Sequence, residues 1–203
     1  MGRETIDQIF AAAVDVFAHS SFERAKMDEI AGYAGVAKGT IYYHFKSKEE
    51  LFVALMNDGM EQITEFLRRR IASAEGAADQ LREALEAYVT YLFRNGTFAK
   101  LLLSEVWGST QRQHVFRARI RELVAIIEEV LAQGESEGVF RPMDKRETAV
   151  AVFGAASVTV LQEIFHRQEG GDDMEIDERI PSLVAALEAL LYRGVISSRN
   201  FNG

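Results

Sequence analysis

Cysteine is missing from the sequence altogether, and proline occurs only at Pro142 and Pro181. The first absence excludes disulfides and thiolate-bound metals. The second leaves long stretches in which nothing interrupts helical hydrogen bonding. No apolar run reaches the roughly 20 residues a membrane-spanning helix needs, since the longest, Ala149 to Leu161, is closed by Gln162 and Glu163. The N-terminus lacks the basic-then-apolar order of a signal peptide, because Asp7, Gln8 and Asp15 interrupt Ile6 to Phe17 at helical spacing. These absences predict a cytoplasmic protein with no membrane partner. A nucleophile elbow and a phosphate-cradling glycine loop are also lacking, and no segment alternates as a strand would. Nor is there a basic excess, since the formal charge of the 203 residues is -8.

What is present is distributed unevenly. Met1 to Lys48 holds six Lys/Arg and six Asp/Glu, so this quarter is neutral and the remainder carries the acidic surplus. Within it, Lys38 to Lys48 contains three lysines, one histidine and no acid. A local basic strip on a neutral module joined to an acidic body suits a nucleic-acid reader with a separate non-DNA domain, although a solvated helix face has the same composition.

Helical periodicity runs through nearly the whole chain. Thr5-Ile6-Asp7-Gln8 is a capping-box start for a helix reaching about Ala18. Met27, Ile30, Ala31 and Ala34 stripe a short helix that stops at Gly35, where positive φ is wanted. Lys38 to Phe45 is about two turns, and Ser47-Lys48-Glu49-Glu50 caps a long helix towards Ile71. Further helices follow through Leu81 to Leu92, Phe98 to Val106 and Phe116 to Leu131. Another is capped by Asp144 and extends to about Arg167, and the last begins near Pro181. The expectation is an all-α protein of about nine helices, divided into a domain over 1–46 and a larger one over 47–203.

Two short helices joined across Gly35-Val36-Ala37 have the dimensions of a helix-turn-helix, whose second helix enters the major groove. At about 100° per residue, Ile41 and Phe45 fall together on one side of that second helix, where they can pack inward. Gly39, Thr40 and Tyr43 then face outward, with Tyr42 and His44 on the flanks. The flanking hydroxyl and imidazole can hydrogen-bond phosphates, while Thr40 and Tyr43 reach base edges. Gly39 lets the helix N-terminus approach the duplex. Lys26, Lys38 and Lys48 are candidate phosphate contacts. Lys48 lies in a first helical turn, where its charge opposes the dipole unless an anion is near.

The stretch "MDEIAGYAGVAKGTIYYHFKSKEELF", Met27 to Phe52, resembles the DNA-binding signature of the tetracycline-repressor (TetR) family of bacterial regulators. Ile30, Ala31, Ala34, Gly35, Val36, Lys38, Gly39, Thr40, Tyr42, His44 and Phe45 carry the match. The departures are Ala25 and Lys26 where similar proteins often have Thr, and Ala37 where they have Ser; each replaces a capping hydroxyl worth about 1 kcal/mol. The resemblance implies a homodimer with two reading heads on a palindromic operator and a ligand cavity in the larger domain. It also implies repression relieved by a small-molecule effector.

In the larger domain, Ala149 to Leu161 is apolar nearly all round, and the last helix presents a row of leucines, as helices buried on more than one side do. Val152, Ala156 and Val160 with Leu183, Leu187 and Leu190 are the candidate interface residues, because the resemblance implies that these two helices pair with their copies. Burial within one subunit is the alternative. Phe66, Tyr88, Tyr91, Phe98, Leu102, Trp107, Phe116 and Phe153 are aromatic-rich enough to line an apolar cavity, and equally able to form core. Arg112, Arg117, Arg119 and Arg121 gather beside them and could hold an anionic headgroup; the C-terminal half is similar to fatty-acid-responsive members that bind acyl-CoA.

An enzyme is not expected, nor any metal or cofactor. Glu163-Ile164-Phe165-His166 has the Glu-x-x-His spacing of bundle di-metal sites, but such sites need a second copy and two more glutamates. The remaining alternative is a helical ligand-binding or scaffolding dimer whose head engages another protein.

Overall fold

Nine helices make up the described part of a computed structural model, which covers residues 2–106, 113–168, 170 and 176–195. They are α1 (Gly2–Arg24), α2 (Met27–Tyr33), α3 (Lys38–His44), α4 (Lys48–Ala72) and α5 (Ala77–Arg94), then α6 (Gly96–Val106), α7 (Gln113–Ser136), α8 (Lys145–Gln168) and α9 (Ile176–Val195). No strand occurs among the described residues. The chain divides into two units, residues 1–61 with 97–116, and residues 62–96 with 117–203.

Local chemistry sets most of the ends. The amide of Glu50 donates to Ser47 Oγ at 3.1 Å, and the Glu50 carboxylate accepts from the Lys46 amide at 2.7 Å. The Ser47 box therefore forms, with its return bond displaced by one residue. Asp144 Oδ1 likewise accepts from the Glu147 amide at 2.9 Å and starts α8. The Thr5 start differs, because α1 is already helical at Gly2 and Thr5 lies inside it. The same helix continues to Arg24 rather than stopping near Ala18, across a break at Ser21 with φ 65 and ψ 157. Pro181 sits in the second turn of α9, where it removes the hydrogen bond an amide would have made to the Asp177 carbonyl.

The first unit packs Ile9, Ala13 and Phe17 of α1 on Ile30 of α2, Ile41 of α3, and Leu51 and Phe52 of α4, all buried. Phe17, Phe22 and Phe52 meet at centroid distances of 5.0 to 5.6 Å, two of the three pairs edge to face. Each such pair adds about 0.5–1.5 kcal/mol beyond area burial.

In the second unit α5 is the central helix, packed on α8 and α9. Leu81, Leu85, Leu92, Leu123, Ile127, Val152, Val160, Leu183 and Leu187 are all buried there. By length and composition α8 could cross a membrane, but its row of Ala149, Val152, Ala156, Val160 and Ile164 is buried inside this unit.

That burial corrects the expected interface residues. Val152, Ala156, Val160, Leu183 and Leu187 are all less than 9% exposed within the single chain, and only Leu190, at 67%, faces out. Both sides of α8 are apolar, and neither hydropathy nor side-chain size marks which row turns inward. The outward row is Val150, Gly154, Val158, Leu161 and Phe165, with Pro181, Ala185, Ala186, Ala189 and Leu190 on α9.

Candidate functional site

The turn between α2 and α3 follows from Gly35, whose φ of 67 suits a residue without Cβ. Val36 N donates to Ala31 O at 3.0 Å and Gly35 N to Gly32 O at 3.2 Å, the paired bonds of a Schellman end. The chain leaves this turn extended at Ala37 (φ -65, ψ 146) and enters α3 with no side-chain cap. Lys26, at the equivalent place before α2, provides none either. The missing hydroxyls thus leave both helix starts with backbone donors open on the outer side.

α3 divides as its spacing predicts. Ile41 is fully buried and Phe45 6% exposed, whereas Tyr43 is 76% and Tyr42 39% exposed. Gly39 is exposed, Thr40 and His44 half-buried. Tyr43 and His44 rings meet edge to face at 5.1 Å. Lys46 Nζ lies 3.4 Å from both the Tyr42 and Tyr43 carbonyls and so neutralises the C-terminal end of α3. Lys46 was not among the candidates, although a basic residue just beyond a helix end is a recognisable C-cap.

The lysines are less free than the sequence suggests. Lys38 Nζ donates to Asp28 Oδ2 at 2.7 Å, and this hydrogen bond raises its pKa above the ordinary lysine value. Both side chains are more than half exposed, so the pair is weak and displaceable. Lys48 turns back on its own domain: Nζ donates to the carbonyls of Glu23 at 3.0 Å and Ala25 at 3.1 Å, and lies 4.6 Å from the Phe22 ring centre. The dipole conflict in the first turn of α4 is therefore relieved by carbonyls at the end of α1, with no phosphate required.

The candidate effector residues separate. Tyr88 and Phe153 line a cavity in the second unit with Leu67, Leu81, Ala84, Leu85, Leu123, Ile127, Val152 and Ala156. Its volume is about 10 Å³, hardly one water. The Tyr88 hydroxyl is 2.9 Å from Ser157 Oγ, which is 2.7 Å from the Phe153 carbonyl. A carbonyl cannot donate, so the single Ser157 proton goes to Phe153 and Tyr88 must donate to Ser157. Burial pushes the Tyr88 pKa well up, the bond to Ser157 offsetting only part.

Phe66 and Tyr91 contact each other at 6.2 Å, and Tyr91 donates to Gln62, away from the cavity wall. Phe98 and Leu102 belong to the first unit, where the Phe98 ring lies so close to Gly59 that a methyl there would overlap it. Trp107, Arg112 and the Phe116 side chain lie outside the described residues. Arg119 pairs with Glu122 at 2.9 Å, while Arg117 and Arg121 are exposed. The aliphatic wall was missed because leucines at core spacing carry no signal that separates cavity from core.

Glu163 of the Glu-x-x-His pair accepts from Arg179 at 3.0 Å and lies 3.6 Å from Arg167. The Arg179 hydrogen bond, outweighing desolvation, holds its pKa below the usual glutamate value. Its carboxylate joins α8 to α9.

Residues 9–55 match the family model described as bacterial regulatory proteins, tetR family, and residues 74–161 one described as tetracyclin repressor-like, C-terminal domain. The fatty acid metabolism regulator protein of Bacillus subtilis is 28% identical over 167 residues, covering 80% of this chain and 84% of the relative. A solved Clostridium perfringens putative fatty acid metabolism regulator is 31% identical with a TM-score of 0.77, covering 89% of this chain and 96% of its own. FadR of Bacillus subtilis, solved in complex with stearoyl-CoA, has the same fold at TM-score 0.77 and 24% identity over 89% of this chain and 96% of that one. With the reading helix, the turn that sets it and the second helical domain all in agreement, the chain belongs to the tetracycline-repressor family of bacterial transcription regulators.

Proposed function

We propose that the protein is a cytoplasmic repressor that binds a palindromic operator as a homodimer and is released by an acyl amphiphile, acyl-CoA being the leading candidate. The observation that carries the DNA reading is the division of α3, with Ile41 and Phe45 buried while Tyr43 is the most exposed large apolar side chain among the described residues. Residues 1–46 act as the reading head and 47–203 as the effector and dimer domain. Thr40 and Tyr43 contact bases. Lys26, Lys38, Tyr42, His44 and the α3 start at Gly39 contact phosphates. Lys48 acts through the end of α1.

A neutral head with so few phosphate contacts binds one half-site weakly, because affinity depends chiefly on counterions released per phosphate. A second copy supplies the second half-site, about 34 Å away. The outward rows of α8 and α9 suit that contact: Val150, Val158, Phe165 and Leu190 are 43 to 67% exposed beside glycine and alanines that permit close approach. The effector reading rests on the wholly aliphatic and aromatic cavity wall and on what the FadR relative carries. Effector-driven repacking around the last turns of α4 would be felt at its first turn, one residue beyond Ser47.

The test is to retain genomic fragments on the purified protein and titrate the recovered operator by fluorescence anisotropy. Tyr43→Ala should weaken binding, Thr40→Ala should change preference at one base pair by about 1–3 kcal/mol, and dodecanoyl-CoA should release the wild-type complex. Failure to enrich any fragment, or wild-type affinity in Tyr43→Ala, would refute the DNA reading.

A further inference from the structure

The cavity beside Tyr88, at about 10 Å³, takes a hydrocarbon chain only if its walls part, and its lining suits a hydrocarbon but not a charge. Its wall is apolar, and the one nearby hydroxyl pair spends its two protons on Ser157 Oγ and the Phe153 carbonyl. An anionic headgroup buried there would have no donor to face, so it must remain outside. The location of the opening then determines which residue receives it.

Three helices pass from the cavity wall into the wall of a surface groove. On α4, Leu67 lines the cavity and Ile71, one turn on, the groove; on α7, Ile127 and Val130 stand in the same relation; on α5, Leu81 and Gln80 are neighbours. The groove has a volume of about 370 Å³, inside the roughly 300–1,000 Å³ range of small-molecule sites, which the cavity itself does not approach. Arg68 and Glu129 also line it and face each other across the α4–α7 gap at 3.7 Å.

The seams beside α4 are unequal. Towards α5, Arg70 reaches Glu83 at 2.6 Å and Glu86 at 3.1 Å and is only a third exposed. Towards α7, the Arg68–Glu129 pair is longer and its side chains are 56% and 65% exposed, a contact of little strength. Of the two, the α4–α7 seam is the less firmly pinned by charge.

We infer that this seam is the entrance to the cavity and that Arg68, held by Glu129 when no ligand is present, is the headgroup receptor. The inference rests on the amphiphile reading above. A single acyl chain passes between Leu67, Ile71, Ile127 and Val130 while its anionic end replaces the Glu129 carboxylate on Arg68. Entry thus exchanges one ion pair for another, and a neutral amphiphile gains nothing from the exchange.

Isothermal titration of the full chain with dodecanoate, dodecanoyl-CoA and neutral dodecanol tests this, with thermal melts checking that each variant folds. Arg68→Ala should weaken the anionic ligands by less than the roughly five-fold worth of one exposed charge pair, because the competing Glu129 pair is lost with it and only the repulsion of the freed Glu129 carboxylate remains. Glu129→Ala should tighten them by up to about five-fold, whereas dodecanol should not be weakened by Arg68→Ala, since it makes no ion pair with Arg68. The effects should shrink at high salt. Response to dodecanoate identifies a free carboxylate as sufficient; response to dodecanoyl-CoA alone identifies the phosphate-bearing carrier. Anion binding unaffected by both substitutions, or weakened by Arg117→Ala in place of Arg68→Ala, would overturn the entrance while leaving the effector reading intact. No binding of any of the three would overturn the effector reading and the entrance with it.

Discussion

Ser21 is the one residue other than glycine with positive φ among the described residues, and its φ of 65 with ψ of 157 lies in a region that is essentially glycine's alone. There the Cβ is crowded by the backbone, at about 1–3 kcal/mol. The conformation is over-determined by its surroundings. Phe22 must turn into the Phe17 and Phe52 rings, and the Ala25 amide donates to the Ser21 carbonyl at 3.1 Å to close the turn beyond the break. The Ser21 side chain itself is exposed. Ser21→Gly should therefore remove the strain and lose almost no contact. Against this gain stands the extra freedom of glycine in the unfolded chain, about 0.4–1 kcal/mol. The net expectation is a stabilisation of about 0.5–2 kcal/mol, which in a chain of this size raises Tm by roughly 2–6 °C. Thermal unfolding followed by circular dichroism measures it, with Ser21→Ala as the control, because alanine retains the Cβ and should give no such rise. If Ser21→Ala stabilised as much as Ser21→Gly, the helix would run unbroken through Ser21 and the strain would not exist.

Two further changes probe other contacts. Glu163→Gln removes a buried charge whose arginine partners are about a quarter to a third exposed, so the 3–5 kcal/mol typical of a broken buried pair is reduced, to about 1–2 kcal/mol. Because the folded pKa of Glu163 is depressed, its contribution is complete above the unfolded value of about 4.3 and is lost as pH falls through the folded one. Urea melts of wild type and Glu163→Gln should accordingly converge as pH falls below the ordinary glutamate range, and a difference that widened in acid would contradict the ion-pair account. Lys48→Met keeps the alkyl stem over Phe22 but abandons the Glu23 and Ala25 carbonyls. It should lower stability by about 1 kcal/mol and weaken operator binding with the slope of log K against log salt unchanged, whereas loss of a phosphate contact would reduce that slope by about one.

How much of this was legible in the sequence depends on the range of the interaction concerned. The α4 and α8 starts were readable because Ser47 with Glu50, and Asp144 with Glu147, act within one turn. The facing of α3 was readable because on two turns only Ile41 and Phe45 can be the inner pair. Lys48 was not, since its partners Phe22, Glu23 and Ala25 are 23 to 26 residues earlier in the chain, and no spacing rule joins a helix start to another helix's end. The cavity was sought among aromatics, yet eight of its ten lining residues are Leu, Ile, Val or Ala. The hardest case was α8, where periodicity finds no single apolar face because both faces are apolar. Side-chain size does not separate them either, since the inner row includes Ala149 and Ala156 and the outer row Leu161 and Phe165. The inner side also carries Ser157 and Glu163, whose hydrogen-bond partners Tyr88 and Arg179 stand on α5 and α9, and no spacing rule within α8 reveals partners on other helices. The outward apolar row, with Gly154 between Val150 and Val158, suits an identical helix from a second copy, because a two-fold contact sets the same face against itself and the glycine lets the backbones approach there.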